Sequence, residues 1–300
     1  MTRLLDILSA LRVNQWTKNL VVLAAFCFAL GDRTQGLIGP TLPATFARVL
    51  AAFVLFCLAS SGLYLLNDIR DLAADRLHPV KRFRPIAAGR LPVPAAGLLS
   101  AFLLALALSA AFLLSRPFAA ILTGYVALQI VYTCRLKHVA LVDIFVIAAG
   151  FVLRAAGGGL VIHVPISPWL LVCAFLLALF LALCKRRHEK LILDLSAEEH
   201  RPSLEYYDRQ LLDQLIAVVS AATIVSYAIY TLATETVHKF GTPLLALTIP
   251  FVIFGIFRYL DLVYRKAGGG RPEKILLTDG PLLADLALYG LCVLGIFFLR

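Results

Sequence analysis

Charge is what this chain has least of. Asp, Glu, Lys and Arg make up 15% of its 300 residues, against roughly 25% in an ordinary soluble domain. Hydrophobic residues make up 61%, more than a water-soluble fold of this length can bury. A soluble enzyme, a disordered chain and a secreted disulfide scaffold are excluded together. The cysteines Cys27, Cys57, Cys134, Cys173, Cys184 and Cys292 are scattered, mostly inside apolar stretches, without a CxxC or a metal-ligand spacing. They read as packing residues. No internal repeat and no low-complexity linker stands out, so residues 1–300 read as one domain. The first apolar run is followed by many of the same kind, and no cleavable signal peptide is expected.

What the chain does have is a series of long apolar runs. A membrane helix needs about 20 apolar residues, and the composition supplies enough for nine. The spacing predicts an all-α, polytopic membrane protein with spans at 13–31, 45–66, 93–114, 117–133, 139–162, 168–184, 211–232, 242–263 and 281–299. The first span is the weakest. Its clean apolar run, Leu20–Leu30, gives only about 16 Å of helix against about 30 Å of hydrocarbon. To cross, it must begin near Val13, drawing Trp16 and Lys18 into the interface. Residues 1–12 read as an amphipathic helix on the membrane surface.

With nine spans, the N-terminal segment and the loops after every second span share one side. That side carries 22 of the 28 Lys and Arg residues, and the positive-inside rule makes it cytoplasmic. The net charge of +10 is therefore loop-flanking charge mixed with acid, and nucleic acid is not a partner. Topology alone does not explain why 16 of the 18 carboxylates crowd the same face or its membrane edge. Chemistry is expected there, in the long loops 67–92 and 185–210.

The first of these loops opens Asn67-Asp68-Ile69-Arg70-Asp71-Leu72-Ala73-Ala74-Asp75. On a continuing helix Asp68, Asp71 and Asp75 fall on one face about a turn apart, and Asn67 joins Asp71. Like charges so placed repel, so something positive belongs between them. Mg2+ is one candidate, a hard cation that shares its shell with substrate phosphates. The alternative is a solvated helix end in which Arg70 and Arg76 neutralise the acids.

NDxxDxxxD followed by RPxxxGRL (Arg84–Leu91) resembles the UbiA superfamily of intramembrane prenyltransferases, and the span count and the two long loops extend that likeness over nearly the whole chain. The resemblance implies a helical bundle around a lipid-open cavity, with a cytoplasmic active site. It also implies Mg2+ held by Asn67 and Asp71, with Asp68 and Asp75 as further catalytic acids. Where typical members carry a second carboxylate motif, this chain has Lys185-Arg186-Arg187-His188-Glu189-Lys190. Such cations suit direct contact with phosphate oxygens.

That departure fits a branch of the family, the polyprenyl-phosphate phosphoribosyltransferases. QWxKN (Gln15–Asn19), YxxxxK (Tyr132–Lys137), GFVLRAAGG (Gly150–Gly158), PISPW (Pro165–Trp169) and KRRHE (Lys185–Glu189) carry this likeness. It implies phosphoribosyl diphosphate (PRPP) as donor and a polyprenyl phosphate such as decaprenyl phosphate as acceptor. Phosphates would be bound by Lys18, Lys81, Arg82, Lys137, Lys185 and Arg186, at cytoplasmic helix ends. Tyr64, one turn before Asn67, is either a donor contact or an interfacial aromatic, and Tyr132 belongs to the YxxxxK stretch. Arg154, deep in the fifth span, either grips the acceptor phosphate or pairs with a buried polar group. Asp143 orients Lys137 or serves as a local counter-ion. Two other readings stand beside this one: an aromatic prenyltransferase of the same fold, and a lipid-phosphate carrier. A homo-oligomer is compatible with the sequence.

Overall fold

The computed structural model describes residues 2–32, 41–195, 207–265, 275 and 278–298, all helix or connection without a strand among them. Most of the acidic stretch Asp194–Glu199 and the glycines Gly268–Gly270 lie outside the described residues. The helices are α1 (Thr2–Ala10), α2 (Val21–Leu30), α3 (Leu42–Arg70), α4 (Leu72–Leu77), α5 (Val93–Leu114), α6 (Arg116–Cys134) and α7 (Val142–Val161). They continue with α8 (Pro168–Leu195), α9 (Arg209–Leu232), α10 (Thr234–Phe240), α11 (Ile249–Arg265) and α12 (Gly280–Phe298). Eight of the described helices are long and apolar enough to cross a membrane.

The segment expected as span 13–31 is not among those eight, because it is not one α-helix. Val13–Leu20 is a 3-10 helix and only Val21–Leu30 is α-helical. At about 2 Å per residue for the first part and 1.5 Å for the second, the pair is still about 31 Å long. The tighter winding has a visible cause in side-chain docking, given below.

The residues group into two compact units: Met1–Phe26, Pro43–Cys134 and Leu153–Val164 form the first, and Cys27–Leu42, Arg135–Val152 and Pro165–Arg300 the second. In the first unit, α5 buries Ala96, Ser100, Leu103, Ala107 and Ala111, a stripe at helical spacing. Mostly small side chains let it lie close to α3, and the Ser100 hydroxyl donates to the Gly62 carbonyl at 2.7 Å. A single extended residue, Ser115, turns α5 into α6, where Pro117 occupies the first turn and costs no helical hydrogen bond.

One face of α3 docks the whole N-terminal segment. Ser61 donates to the Leu11 carbonyl at 2.9 Å and accepts from the Trp16 indole at 3.1 Å. Asn19 donates to Cys57 Sγ at 3.2 Å. Tyr64 lies under the Arg12 guanidinium at 4.8 Å, and Arg12 pairs with Asp68. Residues 57, 61, 64 and 68 share one helix face. The 3-10 stretch is what brings Arg12, Trp16 and Asn19 onto it at once, and Arg12 itself takes a left-handed φ of 51° to start the turn. QWxKN is thus a docking motif.

In the second unit α8 and α9 pack along their length around Phe180, Leu183, Leu212 and Ile216. Asp279 caps α12, accepting from Leu282 N at 3.1 Å, and takes both arms of Arg258 at 2.8 and 3.0 Å, which ties α11 to the start of α12.

Gly158 marks the closest helix approach. A Cβ there would stand 2.0 Å from the Val22 carbonyl oxygen, a backbone atom, whereas one on Gly124 would meet nothing within 4 Å. Gly158→Ala is therefore expected to cost about 3 kcal/mol or more through forced backbone separation. Gly124→Ala should be neutral or slightly stabilising. Thermal unfolding of both variants in detergent checks the contrast.

Candidate active site

The acidic motif sits where α3 ends. The Asp71 and Asp75 amides donate to the carbonyls of Asn67 and Asp71 at 2.9 and 2.8 Å, so helical register survives the break between α3 and α4. Asp68 and Asp75 accordingly share a face, and both are buried at 3% exposure. The positive charge between them is arginine. Arg84 reaches Asp75 at 2.5 Å and Asp68 at 3.1 Å, and Arg12 pairs with Asp68 from the other side. Arg70 and Arg76 do not do this: Arg70 caps the Cys134 carbonyl of α6 at 3.0 Å, and Arg76 is exposed.

RPxxxGRL is the structure that delivers Arg84. Ile86 and Leu91 anchor it in an apolar cluster with Ala10, Leu65, Ala96 and Leu103. Gly89 supplies a φ of 73°, and Leu91 N returns to the Pro85 carbonyl at 3.0 Å, closing a compact turn. Arg90 then clamps Asp6 of α1 at 2.7 Å and the Phe83 carbonyl at 2.9 Å. Neither Arg12 nor Arg84 stood out as a site residue in the sequence. The signal for Arg84 was its fixed place in that motif; for Arg12 there was none.

Asn67 faces Asp71, its amide donating to Oδ2 at 3.1 Å. Two oxygen-bearing side chains so close suit a hard cation such as Mg2+, which takes one or two protein ligands and completes its shell with water and phosphate. No group of three or more His, Cys, Asp or Glu is arranged for a metal among the described residues. What the motif sets side by side is one Asn–Asp pair.

The other expected residues of the first unit divide by exposure. Lys81 and Arg82 are exposed on a 3-10 turn, Arg82 lying over the Phe83 ring at 4.8 Å. Lys18 reaches Gln15 at 3.1 Å and Tyr132 is half-buried in the last turn of α6. Arg154 is deeply placed, donating to Asn19 Oδ1 at 2.6 Å and to the Tyr125 hydroxyl at 2.7 Å, with its carbon 4.6 Å from the Tyr125 ring centre. Of its two expected roles, the structure displays the buried polar pairing. Arg154 braces Asn19, and with it the docked N-terminal segment.

Lys137, Lys185 and Arg186 belong to the second unit. Lys137 is buried on the 3-10 turn Leu136–His138. The KRRHE cations do not form a uniform cluster. Arg186 is 2% exposed and donates to Asp143 at 2.8 Å, while also pairing with Glu189. Arg187 binds Asp213 of α9 at 2.6 Å and stacks on Tyr264 at 3.9 Å. Lys185 is 44% exposed, 3.8 Å from Glu189. Asp143 also accepts from the Tyr207 hydroxyl at 2.8 Å. Burial pushes the Tyr207 phenol well above its ordinary range, so it stays a donor. Asp143 is therefore a counter-ion for Arg186 rather than a guide for Lys137.

Apolar helices long enough to cross a membrane, with an arginine-paired acidic motif at the polar end of one of them, define a multi-pass membrane protein. The model of the UbiA prenyltransferase family matches residues 20–267, and the chain belongs to that family. It is 37% identical to a decaprenyl-phosphate phosphoribosyltransferase of Mycolicibacterium smegmatis, over 97% of this chain and 92% of that one. It is 36% identical to the protein of the same name from Corynebacterium glutamicum, over 95% and 85%. Its fold is similar to a UbiA homolog from Archaeoglobus fulgidus bound to GPP and Mg2+, with a TM-score of 0.72 at 19% identity, covering 97% of this chain and 99% of that one.

Arg84→Ala would leave Asp68 and Asp75 facing each other without their shared cation. Breaking a buried pair on one side costs about 3 kcal/mol or more. The expected outcome is a large fall in melting temperature, partly recovered in Arg84→Ala/Asp75→Asn, measured by thermal unfolding in detergent.

Proposed function

We propose that this chain transfers the 5-phosphoribosyl group of PRPP to a polyprenyl phosphate, of which decaprenyl phosphate is the model acceptor, with release of diphosphate and dependence on Mg2+. The observation that carries the reading is the character of the two motifs: an Asn67–Asp71 pair beside arginine-paired acids in the first unit, and a basic rather than acidic second motif. The near full-length relatives named decaprenyl-phosphate phosphoribosyltransferase support it.

The reaction breaks the bond between the ribose anomeric carbon and the diphosphate oxygen, and forms one from that carbon to a phosphate oxygen of the lipid. The electron pair of the broken bond leaves with diphosphate. Asn67 and Asp71 would hold Mg2+, which supplies neutralising charge for that leaving group. Asp68 and Asp75, each on Arg84, fix the α3–α4 junction that presents them. The centre left behind has oxocarbenium character. The acceptor is already anionic, so it needs orientation more than a general base, and single displacement inverts the anomeric carbon. Lys81, Arg82 and Lys185, the more exposed of the expected cations, are assigned to phosphate oxygens. Lys18, Tyr64 and Tyr132 of the first unit and Lys137 of the second are likewise assigned to substrate, on the cytoplasmic face that the charge distribution favours.

The test offers purified protein two donors with their acceptors. Labelled PRPP with decaprenyl phosphate is expected to give labelled lipid with Mg2+ and none with EDTA. A labelled prenyl diphosphate with 4-hydroxybenzoate is expected to give no product. Asp71→Ala should lower the first rate by about a hundredfold or more. A prenylated phenol from the second mixture would replace this reading with the aromatic prenyltransferase one.

A further inference from the structure

We infer that Asp143 and Tyr207 are positioning residues that withdraw Arg186 from substrate and leave Lys185 as the cation of the KRRHE stretch that meets phosphate. The inference rests on the phosphate-binding role just proposed for that stretch.

Three elements meet at one carboxylate. Asp143, in the first turn of α7, is fully buried at 0% exposure, and its two partners Tyr207 and Arg186 are at 1% and 2%. Asp143 Oδ2 takes Arg186 Nε at 2.8 Å and Oδ1 takes the Tyr207 hydroxyl at 2.8 Å. The Tyr207 oxygen accepts in turn from the Leu141 amide at 2.7 Å. Leu141 holds a φ of 65°, a left-handed conformation that disfavours a leucine. Strain of this kind persists where surroundings over-determine it. Here the chain of hydrogen bonds does so, tying the connection before α7 to the polar end of α8.

The consequence for charge is specific. A guanidinium bound to a fully buried carboxylate would have to abandon that carboxylate to meet a ligand, and a charge left unpaired in that position is costly. Arg187 is held by a close pair with Asp213 at 2.6 Å and by the Tyr264 ring at 3.9 Å, although Asp213 itself is 35% exposed. Lys185, by contrast, makes a loose contact between side chains 44% and 30% exposed, at 3.8 Å from Glu189. Glu189 is 30% exposed, so exchanging that contact for a phosphate oxygen strips no fully buried carboxylate. A lysine is a flexible point charge able to make the exchange.

The experiment titrates inorganic diphosphate with Mg2+ into the full chain in lipid nanodiscs, and records binding and melting temperature together. Lys185→Gln is expected to weaken diphosphate about tenfold or more with an unchanged melting temperature. Arg186→Gln alone should lower the melting temperature. Asp143→Asn/Arg186→Gln, which neutralises both partners, should recover most of it and bind diphosphate within about threefold of the unaltered chain. Tyr207→Phe, which keeps the ring and drops both hydrogen bonds, should raise KM for PRPP more than it lowers kcat. An Arg186→Gln protein of normal melting temperature that fails to bind diphosphate would overturn the inference. So would a Lys185→Gln protein that binds normally, or an unaltered chain that binds no diphosphate at all. A chain showing the expected binding pattern but transferring no ribosyl group would keep the positioning assignment and discard the phosphoribosyl reading.

Discussion

A single guanidinium between two buried carboxylates, Arg84 between Asp75 and Asp68, organises the polar end of the first unit. Two acids on one helix face at 3% exposure repel each other unless a cation lies between them, and a residue five positions beyond Pro79 supplies it. Everything nearby serves that placement. Gly89 closes the turn that aims Arg84, Ile86 and Leu91 pin the turn to the core, and Arg90 fastens it to Asp6 of α1. Arg12 closes the other side of Asp68 and brings the N-terminal segment with it. Two of the acids that make this motif recognisable, Asp68 and Asp75, are thus paired with arginine beside Asn67 and Asp71 at the break of α3.

The second unit solves the same problem separately. Arg186 and Arg187 are consecutive in α8 yet face different carboxylates, Asp143 on α7 and Asp213 on α9. Consecutive helix positions point about 100° apart, so one Arg-Arg pair can bolt α8 to two neighbours. Arg154 repeats the theme in the first unit with neutral partners, Asn19 and Tyr125. Arg12, Arg70, Arg84, Arg90, Arg154, Arg186, Arg187 and Arg258 each join segments in this way.

Much of this was legible in the sequence. Hydropathy and helix-breaking residues placed eight helices close to where they lie, because each is a long apolar run bounded by Pro, Gly or charge. The segment 13–31 was expected as one span, but the 3-10 winding of Val13–Leu20 has no hydropathy signature; it answers to Trp16, Asn19 and Arg12 meeting partners on α3. The acidic motif was readable as chemistry from its i, i+3, i+7 spacing. Its neutralisation by Arg84 was not, since that pairing depends on a turn held by Gly89 and two apolar anchors. KRRHE read as one basic cluster, whereas burial divides it. Spacing shows which face a side chain takes but not whether a carboxylate from a distant helix already waits there, as Asp143 does for Arg186. Tyr207 lies beyond any local pattern and is joined to Asp143 only by folding.

The proposed function has one Mg2+ position, at Asn67 and Asp71, because the second motif carries cations instead of carboxylates. The direct measurement counts Mn2+ bound per chain by electron paramagnetic resonance, with diphosphate present and Mn2+ standing in for Mg2+. One bound ion is expected, lost in Asp71→Asn. Two bound ions, or one that survives Asp71→Asn unchanged, would contradict it.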